Sequence, residues 1–188
     1  MGLKEGTLQS LTESESGLPS SAVETVFGQM LQALDCLAYN GIIHRDVKPD
    51  NILYATLPDG QYHFQLGDFG FCNRAINAAS LVGSPLFMAP EIYQGRNQTS
   101  KVDVWSLFIT LVWILNTGGF REKFSKFSNM NDIQEAIVHA ASQDAILFKV
   151  REMAIIDPQQ RASAAQIIMK LYDGVGLSTP RSQIPAIS

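Results

Sequence analysis

Cysteine is scarce. The 188 residues hold two, Cys36 and Cys72, with no Cys-x-x-Cys and no Cys/His spacing beside either. That argues against a structural zinc site and predicts two free, buried thiols in a reducing compartment. Long apolar runs are lacking too. The richest, "VWSLFITLVWIL" at 104 to 115, is short for a bilayer span and carries Ser106 and Thr110, so it reads as a core helix buried all round. No Lys/Arg-rich run occurs and the net charge is −4, which argues against a nucleic-acid partner. No secretory leader is visible, and Gly6 stands where a myristoylation signal wants Ser or Thr. Asn97-Gln-Thr99 matches a glycosylation sequon; without an export signal it is read as chance. The expectation is a cytoplasmic chain with no membrane contact.

What is present is a globular composition, 46% apolar and 17% charged, long enough for one domain with a real core. Residues 1 to 19 are polar, with a short helix around Leu8 to Thr12. Ser21-Ala-Val-Glu24 reads as a capping box opening a helix. Val23, Val26, Phe27, Met30, Leu31, Leu34, Leu37 and Ala38 then recur at helical spacing, and Asn40-Gly41 ends the run. "NILYATL", the turn "PDG" and "YHFQL" read as a β-hairpin, because Tyr62, Phe64 and Leu66 alternate with His63 and Gln65. Residues 67 to 100 are loop-rich. After the core helix, Asn131-Asp-Ile-Gln134 is expected to cap a helix, another spans Ala145 to Met153, and Ser163-Ala-Ala-Gln166 caps a last one. Residues 173 to 188, rich in Gly, Ser and Pro, read as a loose tail. The fold class is mainly α with one small β-hairpin, an α+β lobe.

Between the apolar walls "II" and "IL" lies "HRDVKPDN", His44 to Asn51. It holds an imidazole, a guanidinium, an ammonium, two carboxylates and a carboxamide. A core segment tolerates such charges only if they are paired or functional. Read forward, Asp68-Phe69-Gly70 follows the hairpin and Ala89-Pro90-Glu91 follows the loop-rich stretch.

These three motifs, in this order, resemble the catalytic loop, Asp-Phe-Gly and Ala-Pro-Glu motifs of eukaryotic protein kinases, with Val47 where the loop has Leu. The resemblance covers roughly Glu5 to Tyr172 and is to the C-terminal lobe only. It implies ATP as substrate, Mg²⁺ as cofactor and proteins as acceptors. Asp46 would accept or orient the hydroxyl proton, Lys48 would face the transferring phosphate, and Asn51 and Asp68 would hold Mg²⁺ as hard oxygen ligands. Gly70 would let the chain turn after the metal ligand, with His44 and Phe69 as packing residues. Leu53, with Leu8 nearby, would floor the nucleotide. Lys48 and "GSPLFMAPE" resemble the Ser/Thr class, with Ser84 where that class contacts the catalytic Asp and Lys. Phe71 would favour Ser over Thr acceptors. Arg45 would pair with a phosphate added to the activation segment, for which Ser80 is the candidate. Glu91 would pair with Arg161, and Asp103 would anchor the catalytic-loop backbone. Phe108 departs from the family, which often has Gly there.

The resemblance also sets domain expectations: 1 to 19 as the segment after the hinge, 20 to 172 as the C-lobe, 173 to 188 as tail. The sequence contains no glycine-rich loop and no Val-Ala-Ile-Lys strand, so the N-lobe is expected to be absent. Three readings stay open: a piece of a Ser/Thr kinase, an inactive kinase-like binding module, and a lobe that borrows a small-lobe partner in trans.

Overall fold

The most apolar segment becomes the axis of the fold. In this computed structural model, which describes residues 4–14, 17–74, 83–123, 126–127 and 129–187 (without the side chains of Arg74 and Met130), helix α4 spans Lys101–Leu115. Every residue from Val102 to Val112 is buried, and Ile114 too. A helix apolar all round has to be surrounded, and α2 (Ser20–Tyr39), α5 (Phe120–Lys123), α6 (Met130–Gln143) and α7 (Ala145–Lys149) pack on it. Phe108 is fully buried in this core, so the departure from glycine is absorbed by packing. α8 (Ala164–Tyr172) closes the far side of α2. The remaining helices are short: α1 (Leu8–Thr12) and α3 (Pro90–Tyr93). Among the described residues, no helix is long and apolar enough to cross a membrane.

The hairpin forms as read. β3 (Ile52–Thr56) and β4 (Tyr62–Leu66) pair antiparallel, with Ile52 opposite Leu66 and Thr56 opposite Tyr62. Gly60, at φ +80°, makes the turn. A third strand, β1 (Gly6–Thr7), adds to the outer edge of β3, too short for periodicity to announce. A second, two-stranded sheet joins β2 (Ile42–Ile43) to β5 (Asn73–Arg74), and it draws the ends of the two polar loops together.

Several local expectations need correcting. α2 begins at Ser20 with Pro19 as N-cap and no side-chain cap bond; Ser21 therefore lies inside the first turn, where its carbonyl accepts from Thr25. α6 is capped by Asn129, whose Oδ1 accepts from Asp132 N, not by Asn131. The helix expected over Ala145 to Met153 breaks at Val150 into α7 and a 3₁₀ turn, Arg151–Ala154. Leu147, Val150 and Met153 recur every three residues and are all buried, a period that suits three residues per turn. The capping box at Ser163 and Gln166 forms as expected. Cys36 is exposed, because α2 buries Leu34 and Asp35 and Cys36 falls off that face; Cys72 is half-buried. Residues 173–187, expected to be loose, are tied to the lobe: Gln166 Nε2 donates to the carbonyls of Pro185 and Ala186, and Asp35 holds Ser178 and Thr179. Polar composition hid these long-range bonds.

Candidate active site

Two backbone N–H groups set the conformation of the His44–Asn51 loop. His44 N and Arg45 N each donate at 2.8 Å to one oxygen of Asp103, which projects from the first turn of α4. Arg45 needs this hold, since its φ of 70° is left-handed, a conformation that costs a non-glycine residue about 1–2 kcal/mol. Asp103 is fully buried. Burial pushes its carboxyl up to about 6, against the pull of the two N–H donors and the Arg45 charge. It is ionised at neutral pH, as a double acceptor must be.

Asp46 is the hub. Its Oδ2 lies 2.9 Å from Lys48 Nζ and accepts from Asn51 Nδ2 at 2.8 Å. Its Oδ1 accepts from Ser84 N at 2.9 Å and Ser84 Oγ at 3.0 Å. Lys48 Nζ donates to Ser84 Oγ at 2.6 Å, which closes the ring. Burial alone would raise the Asp46 carboxyl; the bonds from Lys48, Ser84 and Asn51 and the Lys48 charge overcome it and hold it below the usual carboxylate range. Asn51 spends its amide N–H₂ on the Asp46 carboxylate and main-chain carbonyl, which leaves its Oδ1 as the remaining acceptor. His44 is fully buried, its ring Nε2 2.9 Å from Gly67 O and its Nδ1 3.3 Å from Asp46 N. Burial lowers its pKa, opposed by Gly67, Asp46 and Asp68; with Nδ1 accepting from Asp46 N, Nε2 is the nitrogen that donates to Gly67 O.

The Asp68 to Phe71 segment is the exposed rim. Asp68 itself takes the left-handed conformation, φ 54°, and its Oδ1 accepts from Gly70 N at 3.2 Å. Gly70 is not left-handed, so the turn belongs to Asp68. What Gly70 provides is clearance, since a Cβ there would lie 3.1 Å from Asp68 Oδ1. Phe69 meets the His44 ring edge-on at 5.0 Å yet remains 52% exposed, so it packs with one edge only. The Phe71 carbonyl accepts from Arg45 Nε at 2.7 Å. Leu53 is half-buried on β3, between Thr7 and Gln65, and touches Gly67. Leu8 lies beneath the surface, fully buried. Asn51 Oδ1 and Asp68 Oδ2 are hard oxygens on neighbouring loops, a donor chemistry that suits Mg²⁺.

The expected structural pair is present away from this cluster. Arg161 and Glu91 form a two-pronged pair at 2.7 and 2.9 Å, both buried. Ser80 lies outside the described residues. Sequence reasoning missed two residues that the geometry requires. Gly67 supplies the His44 acceptor. Gly83, at φ +115°, passes so close that a Cβ would come 2.4 Å from Arg45 O; the signal was its place directly before Ser84.

A family model described as protein kinase domain matches residues 2–172. The chain is 34% identical over 88% of its length to serine/threonine-protein kinase PAK mbt of Drosophila melanogaster, and 35% over 71% to serine/threonine-protein kinase ATG1b of Arabidopsis thaliana. It is 36% identical over 73% to serine/threonine-protein kinase TAO3 of Rattus norvegicus. It spans 27%, 19% and 16% of those proteins.

Proposed function

We propose, from the premise that the chain belongs to the protein kinase domain family, that it carries the catalytic floor of a protein Ser/Thr kinase. The observation that carries this reading is the closed ring of Lys48, Ser84, Asp46 and Asn51, built from three segments of chain. Asp46, kept ionised by its donors, orients the acceptor hydroxyl and takes its proton as the oxygen bonds to the terminal phosphorus of ATP and the bond from that phosphorus to ADP breaks. Lys48, one side of whose ammonium already rests on Asp46 and Ser84, turns its remaining N–H toward the transferring phosphoryl oxygens. Ser84 ties the substrate-facing loop to the base, so that the acceptor is read and positioned by the same bond network. Asn51 and Asp68 would hold Mg²⁺, which when bound neutralises charge developing on the phosphate oxygens. Leu53 offers the nucleotide an apolar floor. His44 aligns the two loops without exchanging protons.

The lobe runs over 20–172 in this reading, with 1–19 entering it and 173–188 following. Two free cysteines fit a reducing, cytoplasmic setting. The inactive binding-module reading is weaker, since it calls for loss of Asp46, Asn51 or Asp68, and all three are in place.

Calorimetry of Mg·ATP with the folded chain tests the reading, with Asp68→Asn as control. Binding at tens of micromolar, about −6 to −7 kcal/mol, that vanishes in the variant supports it. A folded chain with no binding at millimolar ATP sinks it for these 188 residues. Transfer of phosphate from ATP to protein Ser/Thr is then assayed.

A further inference from the structure

The segment after α8 is fastened to the lobe at Ser178 and Thr179 by a buried carboxylate, and we propose that Thr179 is a phosphorylation site whose modification releases that hold. Asp35, near the C-terminal end of α2, is 1% exposed. Its Oδ2 accepts from Ser178 N at 2.7 Å and Thr179 N at 3.0 Å, and its Oδ1 accepts from Thr179 Oγ1 at 2.6 Å. A carboxylate taken out of water needs such donors, and these three come from two adjacent residues of the strap. Gly176, at φ +84°, lets the strap press on α2, where a Cβ would meet the Gln32 side chain at 2.2 Å. Farther along, Gln166 Nε2 grips the Pro185 and Ala186 carbonyls at 3.0 and 3.1 Å.

Thr179 is the donor whose chemistry can be inverted. A nucleoside triphosphate would give its terminal phosphoryl group to Oγ1, the P–O bond to the diphosphate breaking as the Oγ1–P bond forms and the hydroxyl proton leaving to a base. The donor becomes a dianion that only accepts hydrogen bonds. Placed against the Asp35 carboxylate it is repelled, so the closed strap and the modified residue exclude each other. Closed, the hydroxyl is engaged and half-buried; open, it is reachable, and Pro180 directly after it holds Thr179 extended, as an acceptor segment must be. Modification in the open state therefore traps the open state. Asp35 lies on the helix that leads through β2 into His44 to Asn51, so release loosens the element behind the catalytic loop. The proposal does not depend on the chain's own kinase activity.

The test uses a separate Ser/Thr kinase that requires proline after its target, with ATP and the whole chain, followed by mass spectrometry and amide hydrogen exchange. The expected result is one phosphate on Thr179, added several-fold faster to Asp35→Asn, and exchange over 178–187 faster by about tenfold or more after modification. Thr179→Val, which keeps both backbone bonds to Asp35 and adds no charge, stays protected. No phosphate on Thr179 even in Asp35→Asn overturns the site. Phosphate on Thr179 with protection unchanged or raised overturns the switch.

Discussion

Two of the carboxylate–cation pairs among the described residues are built to opposite ends. Glu91–Arg161 is closed. Arg161 has no exposed surface, and its five donors go to Glu91 twice and to the carbonyls of Ile155, Lys101 and Ile156, while its guanidinium sits over the Trp105 ring at 5.0 Å. Asp46–Lys48 is open. Asp46 is buried, but Lys48 keeps 21% of its side chain exposed. Saturation fixes the first pair as an internal bolt. The second leaves an ammonium with reach beside a buried carboxylate held charged by its donors. Charge pairing alone does not distinguish a saturated pair from an open one; the count of unspent donors and the access of solvent do.

The comparison breaks hardest at the bolt. Arg161→Met leaves Glu91 buried without a partner, and we expect a loss of about 3–5 kcal/mol, read by thermal or denaturant melting. Gly83→Ala comes next, since it drives a methyl into Arg45 O and a residue into φ +115°; about 1–3 kcal/mol is expected, together with displacement of Ser84 from Asp46 that nuclear magnetic resonance of Ser84 N–H would report.

Asp103→Asn sharpens the comparison through pH. The folded Asp103 carboxyl stands at about 6, above its ordinary 3.8. Its contribution to stability is therefore fully present below the ordinary value and lost as pH rises through 6, with a slope of up to about 1.4 kcal/mol per pH unit. Asn removes that slope, so the stability difference between wild type and variant should change across pH 4 to 6 and flatten above it. Asp46 runs the other way: its lowered pKa contributes stability above 3.8 that disappears as pH falls through the folded value. Matching melts of Asp46→Asn should show this opposite sign.

The open pair should melt less sharply than the bolt. Asp46 is buried, but Asn keeps its shape and one acceptor oxygen, so Asp46→Asn should cost about 1–3 kcal/mol in melting, yet on the proposed reading it lowers phosphoryl transfer by about 10²–10⁴-fold. A variant that melts low and transfers normally would reverse the assignment of the two pairs.

Much of this was legible along the chain. The buried helix, the hairpin and the capping box at Ser163 follow from periodicity and local signals; the Glu91–Arg161 pair and the Asp103 anchor were implied by the family resemblance, and the structure has all of them. Misses cluster where local signals compete. Ser21 loses its cap because Pro19 starts the helix earlier. Val150 interrupts a plausible helix because a three-residue period fits the core better. Cys36 is apolar enough to be buried but faces outward. Gly70 was credited with a turn that Asp68 makes. Asp35 gave no signal at all, since its partners lie 143 and 144 residues away.

By itself the sequence determined the family, the helical class, the order of the loops and the identity of the groups brought to the site, because these depend on residue types at fixed spacing. Only the tertiary structure decided that Asp46 stays below the usual carboxylate range while Asp103 rises to about 6, that Arg161 is saturated while Lys48 is not, and that the C-terminal strap is held by Asp35. Desolvation and hydrogen-bond saturation are set by which atoms meet in space, and no spacing along the chain encodes them.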